Sequence, residues 1–239
     1  MLTGMLMPTS GDAIINGNSI KMDTDAVRQG IGLCQQHDVL FDLVSVEEHL
    51  RLTMRIRTNR VDVADENAKI NEILREVMLT EHRAKLVKEL SGGMKRKLSL
   101  GMALIGGTQT IILDEPTSGL DVESRQQVWL LIEQLKQGRS IIMSTQHIEE
   151  ADELADRVCI MSHGKVIALG TPNDIKKRFG VGYNLYVEPR HAAGLEGAQL
   201  NDKLRQVERV FLQREGFDGI VKSKDSTDKK FIFAVPIAY

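Results

Sequence analysis

An unbroken apolar run, Thr110-Ile111-Ile112-Leu113, passes directly into Asp114, Glu115 and Pro116. A β-rich run with no polar alternation has both faces buried, which is the signature of a parallel α/β sheet rather than of a sheet with one wet face. Open α/β sheets gather their ligands at the carboxyl ends of the strands, so two adjacent acids at that point require a chemical reason. Ala13 to Asn16, Ile31 to Cys34, Ser140 to Ser144 and Arg157 to Ser162 read as further strands, most of them near-continuously apolar. Helical patterns separate them: Val46 to Arg57; Asp65 to Met78, with Ile70, Ile73, Leu74, Val77 and Met78 on one face; Met94 to Ile105; and Val122 to Lys136. The order strand, helix, strand predicts an α/β fold.

Val158 to Leu169 reads as a hairpin turning at His163-Gly164-Lys165 and is expected to edge the sheet. After Thr171-Pro172 a short helix, Asn173 to Phe179, runs into Gly180-Val181-Gly182, where the composition shifts and a domain boundary is expected. The remainder reads as a small α+β unit: a strand Tyr183 to Val187, a helical stripe of Leu200, Leu204, Val207 and Phe211, and strands at Gly219 to Lys222 and Phe231 to Val235. The net charge is -2, with no broad basic excess, which disfavours a nucleic-acid partner. No apolar run approaches the roughly 20 residues of a membrane-spanning helix, and Met1 to Ser10 lacks the pattern of a signal peptide. Cys34 and Cys159 sit in apolar runs and are expected to be buried thiols.

Asp114 is expected to hold a magnesium ion and Glu115 to orient and polarise a water attacking a terminal phosphate. The alternative is a strand running out into a solvated Asp-Glu-Pro turn. Upstream, Ser91-Gly92-Gly93-Met94 precedes a helical stripe of Met94, Leu98, Met102 and Ile105. Ser91 is placed as an N-cap, and a helix start with small residues exposes backbone N–H groups that a phosphate can occupy, though any capped helix with a Gly-Gly turn has the same look. Context decides between these readings. Ser91-Gly92-Gly93, a helix, an apolar strand into Asp114-Glu115, and Ser118-Gly119-Leu120-Asp121 follow in a fixed order within residues 91–121.

The run LSGGMKRKLSLGMALIGG followed by TIILDEPTSGLD resembles the nucleotide-binding domain of an ATP-binding-cassette transporter of subfamily A, the lipid-exporter type. The resemblance covers Met1 to about Gly182 and implies a P-loop NTPase-like core with a helical subdomain at about residues 40–105, residues 183–239 being a partial regulatory-type domain. It implies ATP and Mg2+ as cofactors, with Gln36 a magnesium-touching glutamine that relays movement to membrane-spanning helices. Asp121 would lie at the interface between two nucleotide-binding domains, and Ser91, Gly92 and Gly93 would grasp the γ-phosphate of nucleotide held by the opposite domain. The implied partners are therefore a second nucleotide-binding domain, head to tail, and the transmembrane domains of the same transporter. The implied location is the cytoplasmic face of a membrane.

Three features depart from the family pattern. Gln146 stands in the position of the switch histidine; it can donate to a phosphate but cannot become cationic, and His147 is the alternative if the chain shifts by one residue. Gln35 stands where relatives often have proline. No Gly-x-x-x-x-Gly-Lys-Ser/Thr run occurs in the chain, and Leu2 to Gly11 resembles the segment that follows such a loop. Both ends are thus expected to be cuts from a longer transporter, with the first strands and phosphate loop missing. Without that loop, ATP binding is expected to be weak. Two other readings stay open: a catalytically incompetent interaction module, and a soluble cassette ATPase, which usually carries two cassettes or a coiled-coil insertion.

Overall fold

Thr110–Asp114 is the middle strand of a three-stranded parallel sheet, between Ile31–Cys34 and Ser140–Ser144, in a computed structural model that describes residues 1–58, 63–179, 183–187, 205–206, 209, 221–222 and 231–235. In chain order the first unit, Met1–Leu154, contains β1 (Ile14–Ile15), β2 (Asn18–Ser19), α1 (Thr24–Gly30), β3 (Ile31–Cys34), α2 (Val46–Arg57), α3 (Val63–Glu76), α4 (Gly92–Leu104), β4 (Thr110–Asp114), α5 (Val122–Leu135), β5 (Ser140–Ser144) and α6 (Ile148–Leu154). The pairings Cys34 with Leu113 and Asp114 with Ser144 bring the carboxyl ends of β3, β4 and β5 to one edge.

The pleat sorts β4 between two cores. Ile111 and Leu113, both fully buried, join the large cluster formed by α2, α3, α4 and α5, with Leu50, Leu74, Leu98, Leu104, Val128 and Leu131. Ile112 faces the smaller cluster of Ile15, Ile20, Val27 and Ile31. The helices begin where the sequence offers caps. Ser45 and Glu48 form a reciprocal capping box on α2, Ser91 caps α4 and Asp121 caps α5, each cap typically contributing about 1 kcal/mol.

Several expectations need correction. β5 is not buried on both faces: it is one of the two outer strands, and its side chains alternate between exposed and half-buried. Met78 lies beyond the end of α3, exposed and at φ 56°, because the chain turns sharply there. His49, a polar residue to which the sequence attaches no motif, is internal. It is buried in α2, with Nδ1 2.9 Å from the Ser45 carbonyl and Nε2 accepting from the Phe41 N–H at 2.9 Å.

The second unit, Ala155–Tyr239, contains β6 (Val158–Ser162), β7 (Lys165–Gly170), α7 (Pro172–Phe179), β8 (Tyr183–Val187), β9 (Val221–Lys222) and β10 (Phe231–Val235). β6 and β7 form the expected hairpin but make a two-stranded sheet of their own rather than an edge of the parallel one. β10 pairs antiparallel with both β8 and β9. The helical stripe from Leu200 to Phe211, and His191, lie outside the described residues.

The two cysteines part company. Cys34 is buried, and burial pushes its thiol up to about 11, whereas Cys159 on β6 is exposed, since most of that strand's side chains are uncovered. At pH 8 iodoacetamide is therefore expected to modify Cys159 and spare Cys34 until the chain unfolds, which peptide mass spectrometry reads directly. Since the unfolded Cys34 thiol ionises near 9.0 and the folded one near 11, the unfolded chain binds fewer protons between those values. Its contribution to stability is intact below about pH 9 and declines as pH rises toward 11.

Candidate functional site

The acids at the end of β4 are held by what surrounds the strand's last residue. Asp114 is exposed, and its Oδ1 accepts a hydrogen bond from Ser144 Oγ at 2.5 Å, the side chain opposite it on β5. Glu115 takes φ 46°, a left-handed conformation that costs a non-glycine residue of order 1 kcal/mol. Its N–H donates to the Ser144 carbonyl at 3.0 Å and its carbonyl accepts from the Ser118 N–H at 3.2 Å, so the turn is fixed from both sides. Glu115 Oε2 is buried and has no hydrogen-bond donor. A buried carboxylate oxygen with no donor lacks the partner that burial ordinarily demands, which marks this turn as built for something other than packing.

Gln36 lies two residues beyond β3, and Gln146 and His147 lie just beyond β5, so all three share an edge with Asp114 and Glu115. Gln36 and Gln146 are exposed, and His147 is half-buried, with its N–H donating to Thr145 Oγ1 at 3.0 Å. These polar groups are gathered at one sheet edge without direct bonding between the glutamine side chains and the two acids.

Ser91, Gly92, Gly93 and Asp121 make a second cluster. Ser91 Oγ accepts from the Met94 N–H at 3.3 Å, and Asp121 Oδ1 accepts from the Ser124 N–H at 2.9 Å. That backbone bond, with a further one from the Ser124 side chain, holds the Asp121 carboxyl below its ordinary range. Gly93 is required by the approach of α5: a Cβ there would lie 2.8 Å from Ser124 Oγ and 2.9 Å from Ser124 Cβ. The starts of α4 and α5 therefore lie against one another, with the first turn of α4 exposed at Ser91 and Gly92. Backbone N–H groups and the helix dipole make such a start receptive to an anion.

Two residues outside the sequence reading tie these clusters together. Arg96 of α4 is buried, and its guanidinium reaches the backbone of both strand ends. Its position was obscured by a stripe that assigns α4 a single apolar face. The helix is buried on more than one side, and the small residues Gly101 and Ala103 were the available signal. Glu150 on α6 is fully buried, its Oε1 accepting from Thr117 Oγ1 at 2.9 Å and Trp129 Nε1 at 3.1 Å. It clips the segment after Glu115 to α5 and α6. Glu150→Ala strips the buried Thr117 hydroxyl and the half-buried Trp129 N–H of their acceptor, offset in part by removing the unpartnered Glu150 Oε2, and is expected to destabilise the first unit by about 1–3 kcal/mol in chemical denaturation.

The sequence pattern of the family described as ABC transporter matches residues 1–118. The chain is 39% identical over 246 residues to ATP-binding cassette sub-family A member 2 of Rattus norvegicus, covering 97% of this chain and 10% of the relative. It is 42% identical over 185 residues to the phospholipid-transporting ATPase ABCA3 of the same organism, covering 77% of this chain and 11% of the relative. Among solved structures, the ATP-binding subunit of an ABC transporter superposes with a TM-score of 0.62 at 28% identity, over 75% of this chain and 74% of that one. The chain thus spans about a tenth of the length of these curated relatives.

Proposed function

The chain belongs to the ABC transporter family, as an ATP-binding domain with subfamily A relatives, and from that premise we propose that it works as the ATPase part of a transporter moving lipid. The observation that carries this is the turn after β4, where Asp114 and Glu115 stand beside Gln36 at the sheet edge and the Ser91-capped helix is bonded to the same turn.

Asp114 and the Gln36 amide offer hard oxygen atoms on an exposed edge. That is a set that fits Mg2+, which prefers one or two protein ligands together with substrate phosphates. When bound, the ion would neutralise charge on those phosphates. Glu115, at the turn that follows β4, takes the proton of the attacking water. Gln146 donates to the terminal phosphate, with His147 in reserve. Ser91, Gly92 and Gly93 present helix-start N–H groups to nucleotide on a second such domain, and Asp121 sits at that interface, so that ATP joins two domains head to tail. No helix among the described residues is long and apolar enough to cross a membrane, and coupling runs through Gln36 to transmembrane domains on the cytoplasmic side. We place the boundary between this domain and a regulatory-type unit near Gly182.

The absence of a glycine-rich lysine loop from the 239 residues supports one restriction: this chain by itself grips nucleotide poorly. The test of the paired arrangement is Ser91→Glu in an intact transporter carrying this chain. A carboxylate placed at the phosphate position is expected to lower ATP-driven domain pairing, read by cross-linking, by at least about tenfold. Pairing at the original level would refute the assignment of Ser91 to a phosphate.

A further inference from the structure

Arg96 makes six hydrogen bonds that converge from one buried guanidinium on two loops. Nε donates to the Pro116 carbonyl at 2.6 Å, and Nη2 donates to the carbonyls of Asp114 at 3.0 Å and Glu115 at 3.2 Å. Nη1 donates to the carbonyls of Gln35 at 2.6 Å and Gln36 at 3.3 Å, and pairs with Asp38 at 3.2 Å. Asp38 is in turn bonded by Ser99 Oγ at 2.7 Å, one turn further along α4.

We propose that Arg96 is a positioning residue for ATP hydrolysis, holding the Glu115 turn and the Gln36 loop in one fixed relation to the helix that begins at Ser91. The inference rests on the function proposed above. It has three physical supports. First, β3 ends at Cys34 and β4 at Asp114, so the carbonyls that follow have left the ladder and require donors; a planar fork of five N–H groups serves several of them at once, which a lysine ammonium does not. Second, Arg96 bonds the backbone of Glu115 and leaves the carboxylate untouched, so it sets where the acid stands without occupying it. Third, Arg96 lies five residues after Ser91, roughly 7–8 Å along the helix axis. A helix moves as a rigid rod over that distance, so a phosphate seated on Ser91 fixes both loops of its own domain through Arg96.

The test compares Arg96→Lys, Asp38→Ala and Glu115→Gln in an intact transporter carrying this chain, in lipid vesicles, reading kcat and KM for ATP, retention of labelled nucleotide, and thermal unfolding. Arg96→Lys keeps the buried charge but not the fork. It is expected to lower kcat about tenfold or more, with KM within about threefold and nucleotide retention unchanged. Wild-type kcat in a folded Arg96→Lys protein overturns the proposal. So does a loss in which KM and unfolding temperature change in step with kcat, because that is a structural role. Should Arg96→Lys fail to fold, Asp38→Ala reads the same link from the Gln36 side: a kcat reduced about threefold at constant KM supports it, and wild-type kcat overturns it. Full turnover in Glu115→Gln would instead sink the underlying functional reading, whereas an inactive Glu115→Gln beside an active Arg96→Lys rejects Arg96 alone.

Discussion

Glu115→Gln in an intact transporter carrying this chain is expected to lower steady-state phosphate release by about 10²-fold or more, while ATP-driven pairing of the domains persists. The two side chains have nearly the same size, so the φ 46° turn, the N–H bond to the Ser144 carbonyl and the Arg96 contact to the Glu115 carbonyl are all retained. What is lost is the ability of the carboxylate to take a proton from water. The amide also presents N–H groups where the carboxylate presents an acceptor, so the water that an acceptor would orient is no longer held. Nucleotide retention measured together with phosphate release separates this from a binding defect. Loss of retention in parallel with turnover would place Glu115 in nucleotide binding instead.

The largest effect on folding is expected at Gly32→Ala in β3. A Cβ at that position would stand 2.1 Å from the carbonyl oxygen and 3.0 Å from the carbonyl carbon of Ala103, and 3.1 Å from Thr108 Oγ1. The Ala103 carbonyl is backbone near the end of α4, and it already accepts from Thr108 Oγ1 at 3.0 Å, so it has little room to retreat. Moving α4 away from β3 also opens the core around Leu98, Leu104 and Ile111 and displaces Arg96 from the strand ends. The expected cost is about 3 kcal/mol or more, beyond the usual range for one added methyl in a tight core. Urea unfolding of the first unit reads it. A loss below about 1 kcal/mol would mean that α4 and β3 are not packed this closely.

The same close approach explains what could and could not be read from the residues alone. Ile31–Cys34 and Thr110–Asp114 are legible as strands because runs of Ile, Leu and Val admit few other readings, and their parallel pairing follows from the helices between them. Ser91 and Asp121 are legible as caps because the signal is local. Ser140–Ser144 is equally apolar, yet it is half-exposed, while the other outer strand, Ile31–Cys34, is mostly buried: burial depends on what packs against a strand, which a run of residues does not contain. Arg96, Glu150 and His49 are illegible for a related reason. Each is a polar side chain whose burial is made acceptable by partners that no periodic pattern indicates: Asp114 for Arg96 and Thr117 for Glu150, both on other elements, and the Phe41 N–H in the loop before α2 for His49. The gathering of Gln36, Asp114, Glu115 and Gln146 at one edge follows from the strand ends, whereas the link from that edge to Ser91 through Arg96 is a property of packing alone.

We propose that this chain carries the acid that activates water and the helix start that meets another domain's nucleotide, but not the grip on its own ATP. The direct measurement is equilibrium binding of Mg2+–ATP to the 239-residue chain by calorimetry, beside the same titration of a cassette domain that contains a glycine-rich lysine loop. The predicted result is no saturable binding to this chain below about 1 mM, a limit equivalent to roughly 4 kcal/mol of binding free energy, with ordinary saturation of the second domain. Micromolar binding by this chain alone would contradict the claim, because the phosphates would then be held by residues other than those assigned here.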